Sequence, residues 1–440
     1  MEHLLTAGTE LVSECGNKYR VVSFLGAGGQ GEVYEVSCGT KHYALKWYFK
    51  SNATETQKII LDKLIEKGSP TKGETKDVFL WPQDLIYKVA GEPFGYIMEL
   101  REKRYKGIVD LMKCRTNPSF ENLIKACFNL TKGYLKLHEQ GYQYRDISFG
   151  NAFFDPDTGD VKICDNDNVT PNGATDGGII GTPRFMAPEI VRGEARPSRN
   201  TDRFSLAVLL FYMLMVSHPL EGKEEAKIKC MDPAAMKKLY GTNPVFVHDP
   251  NNKSNRPVPG YQDNAIVYWE MYPEYIKDLF TESFTVGLNT PAKRITENQW
   301  LDAFAKMMSG IVKCQDCGAE ILYDPVKGKD GHICWNCKKK VTIGSQIVIG
   351  KGSKQIKIPI NSETKLYSHH INGDYDMSTV IGEVVTNPND PAKWGIRNKT
   401  NINWTYEKAN GSQVAVPSGK AATIAKDVSI DFGTVKGTFE

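Results

Sequence analysis

The run from Tyr144 to Asp165 constrains this 440-residue chain more than any other stretch. It contains Asp146 in the sequence Tyr-Arg-Asp, Asn151 five residues later, and Asp165 at the end of an alternating apolar run that begins at Val161. Carboxylate and amide oxygens suit hard divalent cations, so Asn151 and Asp165 are predicted to hold a metal ion, while Asp146 accepts the proton of an attacking hydroxyl. The pattern indicates a phosphoryl-transfer site, although the same three residues alone are also typical of surface turns.

Composition excludes several classes of function. The chain is 40% hydrophobic and 24% charged with a formal net charge of +3, which is not the strongly basic balance of a nucleic-acid-binding protein. The start of the chain has no signal-like pattern, and the longest apolar run, Phe204 to Val216, is shorter than the roughly 20 residues of a membrane helix. The chain is therefore expected to be cytoplasmic, without nucleic-acid or membrane partners.

A glycine-rich segment precedes this run by about 120 residues. Alternating apolar residues from Tyr19 to Leu25 predict a strand that leads into Gly26, Gly28 and Gly31. Glycines let backbone N–H groups approach phosphate oxygens closely. Because β-rich sequence and not a helix follows, a dinucleotide-binding fold is disfavoured. Lys46 is then predicted to pair with phosphate, with a solvated strand lysine as the alternative.

Between Tyr19 and Met308 these motifs, in order and spacing, resemble a eukaryotic-type (Hanks-type) protein serine/threonine kinase. The resemblance rests on the glycine loop, Lys46, the catalytic loop, Asp165, the Gly181–Glu189 end of the activation segment, Asp202, and Arg294 as the partner of Glu189. It implies a bilobal α+β kinase fold, with a β-rich N-lobe and an α-helical C-lobe. It also implies ATP, Mg²⁺ or Mn²⁺, and phosphoryl transfer to serine or threonine hydroxyls of a protein substrate, with self-phosphorylation expected.

The resemblance also assigns residues to roles. The catalytic set is Asp146, Lys46, Asn151, Asp165 and Glu55, with Asn151 and Asp165 as metal ligands. The nucleotide-binding set is Gly26, Gly28, Gly31, Val33, Ala44, Lys46, Met98, Glu99 and Arg101, the last two through their backbone.

Three departures from the family pattern stand out. Ser148 replaces a lysine that usually helps to neutralise the transferred phosphoryl group. Asp165-Asn166-Asp167 replaces the family's Asp-Phe-Gly, so a switch based on the flip of that phenylalanine is not expected. Gln57 occupies the helix position that normally carries the acidic partner of Lys46. Glu55 is therefore chosen as that partner, with a solvated first-turn acid as the alternative.

The activation segment offers candidate phosphorylation sites. Thr182 resembles an architectural threonine next to the catalytic aspartate. Thr175, with Thr170 as the second choice, is the expected phosphosite, since a phosphate there would pair with Arg145.

Two Cys-x-x-Cys pairs follow the kinase-like region, Cys314 with Cys317 and Cys334 with Cys337, sixteen residues apart. Four thiolates at this spacing predict a closed, structural Zn²⁺ site of the zinc-ribbon type, with a redox pair as the alternative. His332 is expected to be a surface residue outside the site.

Short alternating runs continue to the end of the chain and predict a small all-β, sandwich-like domain. The Ser368–Gly373 stretch resembles part of the phosphothreonine-binding forkhead-associated domains. The expected domains are the N-lobe (1–100), the C-lobe (101–310), the Cys₄ zinc ribbon (311–343) and the β-domain (344–440).

This architecture also resembles bacterial kinases that act alongside a von Willebrand factor A protein and a PP2C-type phosphatase, which implies such partners. A nucleotide-binding pseudokinase scaffold is the alternative function.

Overall fold

The computed structural model describes residues 3–74, 77–89, 91–174, 178–350, 352 and 355–440. The chain forms two compact units. Unit 1 contains Met1–Ile266 and Phe280–Glu297, and unit 2 contains Val267–Leu279 and Asn298–Glu440. No helix in these described ranges combines the length and the apolar character needed to cross a membrane.

Unit 1 begins with a six-stranded antiparallel sheet in the order β1-β2-β3-β4-β6-β5. Its strands are β1 (Glu10–Val12), β2 (Lys18–Ala27), β3 (Gly31–Cys38), β4 (Lys41–Tyr48), β5 (Asp84–Ile86) and β6 (Gly95–Glu99). Helix α1 (Glu55–Lys67) follows β4 and begins after Thr54, whose side chain accepts a hydrogen bond from the Gln57 N–H.

The two-residue period of a strand decides which residues of β4 face the functional site. Ala44, Lys46 and Tyr48 share one face, whereas Leu45 between them packs into the core on the other face with Val36 and Ile97. Ala44 and Tyr48 pack in a second cluster with Leu61 of α1 and Met98 of β6. Lys46 is thus held at a buried position next to α1.

The helical part of unit 1 follows the predicted periodicity. Helix α3 (Phe120–Glu139) buries its apolar stripe of Leu123, Cys127, Leu130, Tyr134 and Leu137. Helix α5 (Arg199–Met215) is buried at every position from Phe204 to Met215, as expected for a helix enclosed on all sides.

The helical part of unit 1 also contains shorter elements. The strands are β7 (Lys106–Gly107), β8 (Tyr142–Gln143), β9 (Ala152–Phe154), β10 (Val161–Ile163) and β11 (Thr170–Pro171). The helices of unit 1 are α2 (Ile108–Met112), α4 (Pro188–Arg192), α6 (Lys223–Ala226), α7 (Pro233–Met236) and α10 (Val286–Asn289). Two more helices, α8 (Asp263–Met271) and α9 (Glu274–Ser283), each include residues of both units. Strands β9 and β10 pair antiparallel and carry the chain from Asn151 to Asp165.

Unit 2 contains α11 (Glu297–Ser309) from Asn298 onward, followed by two short hairpins and two larger sheets. The hairpins pair β12 (Ile311–Lys313) with β13 (Glu320–Leu322) and β14 (His332–Ile333) with β15 (Lys340–Val341). The larger sheets run in the orders β17-β16-β25-β24-β21-β22 and β18-β19-β20-β23. Their strands are β16 (Gln346–Ile349), β17 (Ile356–Pro359), β18 (Lys365–Tyr367), β19 (Val380–Asn387), β20 (Asp390–Asn398), β21 (Trp404–Glu407), β22 (Gln413–Val416), β23 (Ala421–Thr423), β24 (Ser429–Asp431) and β25 (Lys436–Phe439).

Both large sheets contribute to one apolar core, which contains Ile347, Ile396, Trp404 and Ile430. The observed order, a β-rich part and a helical part followed by a four-cysteine segment and further β-sheets, is the one that the sequence predicts. The Ser368–Gly373 stretch, however, forms a short helix, α12 (Ser368–Asn372), whose first three residues are buried. The likeness of this stretch to forkhead-associated domains stays a prediction.

Helix α11 contacts α12 and the residues that follow it, within unit 2. The Ser309 Oγ lies 2.7 Å from the His370 Nε2, and the Tyr375 hydroxyl donates to Asp302 Oδ1 at 2.8 Å. The predicted domain limits, including the one at residue 310, stay predictions. These contacts nevertheless join Asn298–Ser309 to the segments that follow.

Candidate active site

The buried carboxylate of Asp202 fixes the backbone of the catalytic loop. Asp202, in the first turn of α5, accepts hydrogen bonds from the backbone N–H groups of Tyr144 at 2.6 Å and Arg145 at 3.0 Å. Arg145 adopts a left-handed backbone conformation (φ 75°), which turns the chain toward Asp146. His138 bridges Asp202 and Glu297 at 3.1 and 2.8 Å. Burial disfavours its charged form, but these two carboxylates prevail and raise the pKa of His138.

Asp146 lies at the centre of the loop. Its Oδ1 accepts a hydrogen bond from the Thr182 hydroxyl at 2.7 Å, and its Oδ2 accepts one from Asn151 Nδ2 at 3.1 Å. The predicted architectural role of Thr182 agrees with this contact. Because the Nδ2 of Asn151 is the donor, its amide oxygen is the atom left to ligate a metal ion.

Asp165 is brought to the same place by the β9–β10 hairpin. The N–H of Cys164 donates to the carbonyl of Asn151 at 3.0 Å, so the two predicted metal ligands lie at adjoining positions. Asp165 takes a left-handed conformation (φ 53°) at the end of its strand, and its side chain is 36% exposed. A partly exposed carboxylate next to an amide oxygen fits a hard divalent cation.

Lys46 has a different partner from the predicted one. Its ammonium group lies 2.8 and 3.0 Å from the two carboxylate oxygens of Asp167 and 3.4 Å from Asp165 Oδ1. The side chain of Asp167 is fully buried. Burial disfavours the charged form of Lys46, but attraction to Asp167 and Asp165 prevails and raises its pKa above the ordinary value. The lysine is thus held as a cation.

Two tyrosines complete the Asp167 site. Tyr48 donates its hydroxyl to Asp167 Oδ2 at 2.6 Å, and Tyr96 donates to Oδ1 at 3.0 Å. Burial, followed by the negative charge of Asp167, raises the pKa of both hydroxyls, so they remain donors.

The predicted pairing of Glu55 with Lys46 is not present in the structure. Glu55 accepts a hydrogen bond from the Tyr87 hydroxyl at 3.1 Å in an exposed position. Two residues further along α1, Gln57 donates its amide to the Tyr48 hydroxyl at 3.2 Å and to the Asp167 carbonyl at 3.1 Å. Because two residues turn about 200° around a helix, Gln57 faces the site and Glu55 does not.

The predicted nucleotide-binding residues form one apolar wall and one polar edge. Ala44 and Met98 are buried in a cluster against which Val33, Leu100 and Cys164 pack. The side chain of Glu99 pairs with Lys162 at 2.9 Å. The Arg101 guanidinium lies 3.9 Å from the centre of the Phe153 ring. The wall suits the flat face of an aromatic nucleotide base, since ligand pockets are lined mainly by apolar side chains with a few polar groups.

The glycines where β2 turns into β3 are of two kinds. A Cβ at Gly26 or Gly28 would meet nothing within 4 Å, which leaves open space beside the backbone. A Cβ at Gly31 would lie 2.1 Å from the Trp47 carbonyl oxygen. Gly31 is therefore required for the close pairing of β3 with β4, whereas the space beside Gly26 and Gly28 is open, as the predicted phosphate contact needs.

The end of the activation segment is locked by an ion pair. Arg294 contacts the two carboxylate oxygens of Glu189 at 2.8 and 2.7 Å, and both side chains are largely buried. The predicted pairing is confirmed. Such two-pronged contacts are the strong form of this ion pair.

The predicted phosphosites differ in their surroundings. Thr170 is buried in β11 and accepts a hydrogen bond from Gln143 at 3.2 Å, so its hydroxyl is not accessible. Thr175 lies outside the described residues, and its modification stays a prediction.

The four predicted zinc ligands converge in unit 2. The sulfur atoms of Cys314, Cys317, Cys334 and Cys337 all lie within 4.8 Å of one another. Zinc–sulfur bonds of about 2.3 Å at tetrahedral angles would place sulfurs about 3.8 Å apart. The Cys314–Cys337 and Cys317–Cys334 distances are 3.7 and 3.5 Å. The cluster therefore fits a zinc ion.

The prediction that His332 is a surface residue is wrong. It is 3% exposed, and its Nε2 accepts a hydrogen bond from the Asp324 N–H at 2.9 Å. Burial lowers its pKa, so it is a neutral part of the fold beside the cysteine cluster.

Sequence reasoning missed the partners of Lys46. Two departures from the family pattern carried the signal together: Gln57 lacks the expected negative charge, and Asp167 supplies one where the family has glycine. Tyr48 was also predictable, since it lies two residues after Lys46 on one strand and must share its face.

Comparisons with known proteins agree with this geometry. The family model described as "Protein kinase domain" matches residues 19–304, which is more than half of the chain. The chain is 27% identical over 226 residues to "Probable serine/threonine-protein kinase CCRP1" of Zea mays, a match covering 47% of this chain and 33% of that protein.

Two further relatives are protein kinases C. The protein kinase C of Aspergillus fumigatus is 28% identical over 218 residues, covering 48% of this chain and 19% of the relative. The protein kinase C delta type of Mus musculus is 35% identical over 96 residues, covering 21% and 14%. These matches span a third or less of the relatives' own length.

Proposed function

This chain belongs to the protein kinase family, and we propose that it transfers the γ-phosphoryl group of ATP to serine or threonine hydroxyls of proteins, itself included. A kinase domain implies ATP and a divalent metal ion as cofactors. We take the metal to be Mg²⁺ or Mn²⁺.

One observation carries the proposal. Asp146, Asn151 and Asp165 meet at one place, where Asp146 is oriented by both Thr182 and Asn151. An oriented carboxylate beside two oxygen ligands is what hydroxyl activation and phosphate neutralisation need together.

Each residue then has a definite role. Asp146 accepts the proton of the attacking hydroxyl, and Lys46 contacts the phosphates as a fixed cation. Asn151 and Asp165 would hold the metal ion, which neutralises phosphate charge when bound. The backbone near Gly26 and Gly28 covers the phosphates, and the Ala44–Met98 wall receives the base.

A nucleotide-binding pseudokinase is the second candidate. It is favoured by Ser148, which is buried and uncharged at the position where the family usually has a lysine. It is also favoured by the Asp165-Asn166-Asp167 triplet, which replaces Asp-Phe-Gly. An intact set of proton acceptor and metal ligands supports the kinase instead.

The test uses labelled ATP and Mg²⁺ with the full chain. Asp146→Asn is expected to lower self-phosphorylation by about 10²-fold or more while nucleotide still binds, because only the proton acceptor is lost. Asp165→Ala is expected to weaken Mg²⁺-dependent nucleotide binding itself. Nucleotide binding by the unaltered chain with no transfer to any protein would instead establish the pseudokinase.

The C-terminal segments are proposed to serve recognition. Every group that the reaction needs lies between Gly26 and Thr182, while the cysteine cluster, proposed to hold a structural Zn²⁺, begins at Cys314. The order of kinase, zinc ribbon and β-domain supports a von Willebrand factor A protein and a PP2C-type phosphatase as partners, by resemblance to bacterial kinases of that organisation.

A further inference from the structure

The most unusual feature of the active site is the origin of the carboxylate that faces the phosphate-binding lysine. In protein kinases a glutamate on the first helix forms an ion pair with the strand lysine, and helix position controls activity through that pair. Here α1 presents Gln57 at the site, and the carboxylate comes from Asp167, two residues after the metal ligand.

We propose that Asp167 is the positioning carboxylate of Lys46, replacing the helix glutamate of other kinases and anchoring the lysine to the N-lobe sheet instead of to helix α1. This inference rests on the proposed function in taking Lys46 as the phosphate-binding lysine. It adds that the negative charge that orients this lysine does not come from α1.

The geometry around Asp167 supports the assignment. Both of its oxygens contact Lys46, at 2.8 and 3.0 Å, and each oxygen also accepts one tyrosine hydroxyl. Tyr48 and Tyr96 lie on β4 and β6, the two strands that pair beside Lys46. The two tyrosine hydroxyls therefore hold the carboxylate against the sheet, and both of its oxygens orient Lys46.

Helix α1 has only a supporting part in this arrangement. Gln57 contacts the Tyr48 hydroxyl and the backbone carbonyl of Asp167, and it is neutral. The segment after Asp165 is held further by Asn166, which is buried and donates to the carbonyls of Leu80 and Ile163 at 2.9 and 3.0 Å. The polar Asp-Asn-Asp triplet thus ties the metal-binding segment to the sheet that carries Lys46.

The first test separates positioning from binding. Asp167→Asn in the full chain is expected to lower kcat for phosphoryl transfer by about 10- to 100-fold, the effect of losing a charge-assisted contact. The Kd for Mg²⁺·ATP should stay within about threefold, because removing a negative charge near the phosphates does not weaken the binding of an anion.

Asp84→Asn is the matched control. Asp84 is also a buried carboxylate of the N-lobe sheet, and it accepts hydrogen bonds from Asn17 at 2.9 Å and Tyr19 at 3.1 Å. It does not contact Lys46, so its loss should change kcat and Kd by less than about threefold. An equal fall in kcat for Asp84→Asn would mean that Asp167 acts through stability alone, and the inference would be overturned.

A second variant tests the exchange of roles directly. Asp167→Gly combined with Gln57→Glu moves the carboxylate to the helix, where other kinases carry it. The Gln57 amide already reaches the Tyr48 hydroxyl that borders Lys46. The pair should therefore recover at least about tenfold of the kcat lost in Asp167→Gly alone. Failure of this rescue together with normal kcat in Asp167→Asn would refute the proposal.

A third readout does not need catalysis. In protein labelled with ¹⁵N-lysine, the ammonium signal of Lys46, assigned by its loss in Lys46→Arg, should be present in the wild type and in Asp84→Asn. It should shift or broaden in Asp167→Asn, and an unchanged signal would overturn the inference. If the wild type transfers no phosphate, the proposed function fails, and this signal still decides the role of Asp167.

Discussion

Asp202→Ala is expected to loosen the catalytic loop, because this side chain holds the backbone just before Asp146. Asp202 is 1% exposed and accepts the N–H groups of Tyr144 and Arg145 in addition to a contact with His138. Alanine would leave two buried N–H groups without an acceptor. At about 1–3 kcal/mol each, the loss is about 2–6 kcal/mol, a large share of the 5–15 kcal/mol that stabilises a domain.

Asp202→Asn provides an internal scale. The amide keeps one acceptor oxygen of nearly the same shape, so about one of the two backbone hydrogen bonds survives. The expected loss is therefore about 1–3 kcal/mol, roughly half of that for alanine. Asp232→Ala is the control. Asp232 accepts one N–H group, that of Ala235, at the exposed start of α7, and the loss of this cap should cost only about 1 kcal/mol of stability.

Hydrogen exchange of the peptide that contains Tyr144 and Arg145 measures the effect locally. A loss of 2 kcal/mol corresponds to about 30-fold faster exchange of these amides, since 1.4 kcal/mol is a factor of ten. Phosphoryl transfer should fall in the same order, because Asp146 follows directly on the freed backbone. Equal effects of Asn and Ala, or unchanged exchange in Asp202→Ala, would refute the assignment of Asp202 as the loop's anchor.

The sequence predicted the main elements of the kinase region because each rests on a short-range rule. The spacing of Asp146, Asn151 and Asp165 is set by one loop and one hairpin, both local in the chain. Helices α3 and α5 followed from hydrophobic periodicity. The four cysteines could be paired with one ion because metal ligation needs only residue type and spacing.

The partner of Lys46 could not be read in the same way. Glu55 and Gln57 differ by two residues on one helix, and a shift of about 200° decides which of them faces the sheet. The sequence does not give the rotation of α1 to that precision. Asp167 is 121 residues from Lys46, so its contact depends on how the C-lobe places the segment after Asp165 against β4.

The sequence also did not predict which side chains of unit 2 are buried. His332 follows a glycine in a polar stretch, which favours a surface position. Its burial depends on Tyr323, whose ring centre lies 5.4 Å away. The contact of α11 with the β-domain, through Ser309 and His370, likewise joins residues 61 positions apart. Periodicity within a strand or helix does not specify such long-range packing.

Three further predictions concern pH, metal and backbone packing. Burial opposes ionisation of Glu297, but hydrogen bonds from His138 and Arg203 prevail and lower its pKa to about 2. The stability that Glu297 contributes is therefore fully present above its ordinary pKa of 4.5 and is lost as the pH falls toward 2. Over that pH range the difference in Tm between the wild type and Glu297→Gln should become smaller. Metal analysis should find one zinc ion per chain. A chelator should remove the amide protection of the cysteine segment, because zinc binding contributes folding free energy on the order of 10 kcal/mol to that segment. Self-phosphorylation should stay within about threefold. Loss of transfer with the kinase lobes still folded would show instead that the metal segment activates the enzyme. Gly31→Ala should be far more damaging than Gly28→Ala, because its new Cβ would lie 2.1 Å from a backbone oxygen of β4, whereas the Cβ at Gly28 meets nothing within 4 Å. Overpacking of this kind costs about 1–3 kcal/mol and should separate β3 from β4 beside Lys46, so thermal unfolding and kcat should both respond to Gly31→Ala alone. Similar Tm values for the two variants would mean that the strands can shift apart without cost, and that Gly31 serves the phosphates rather than the sheet.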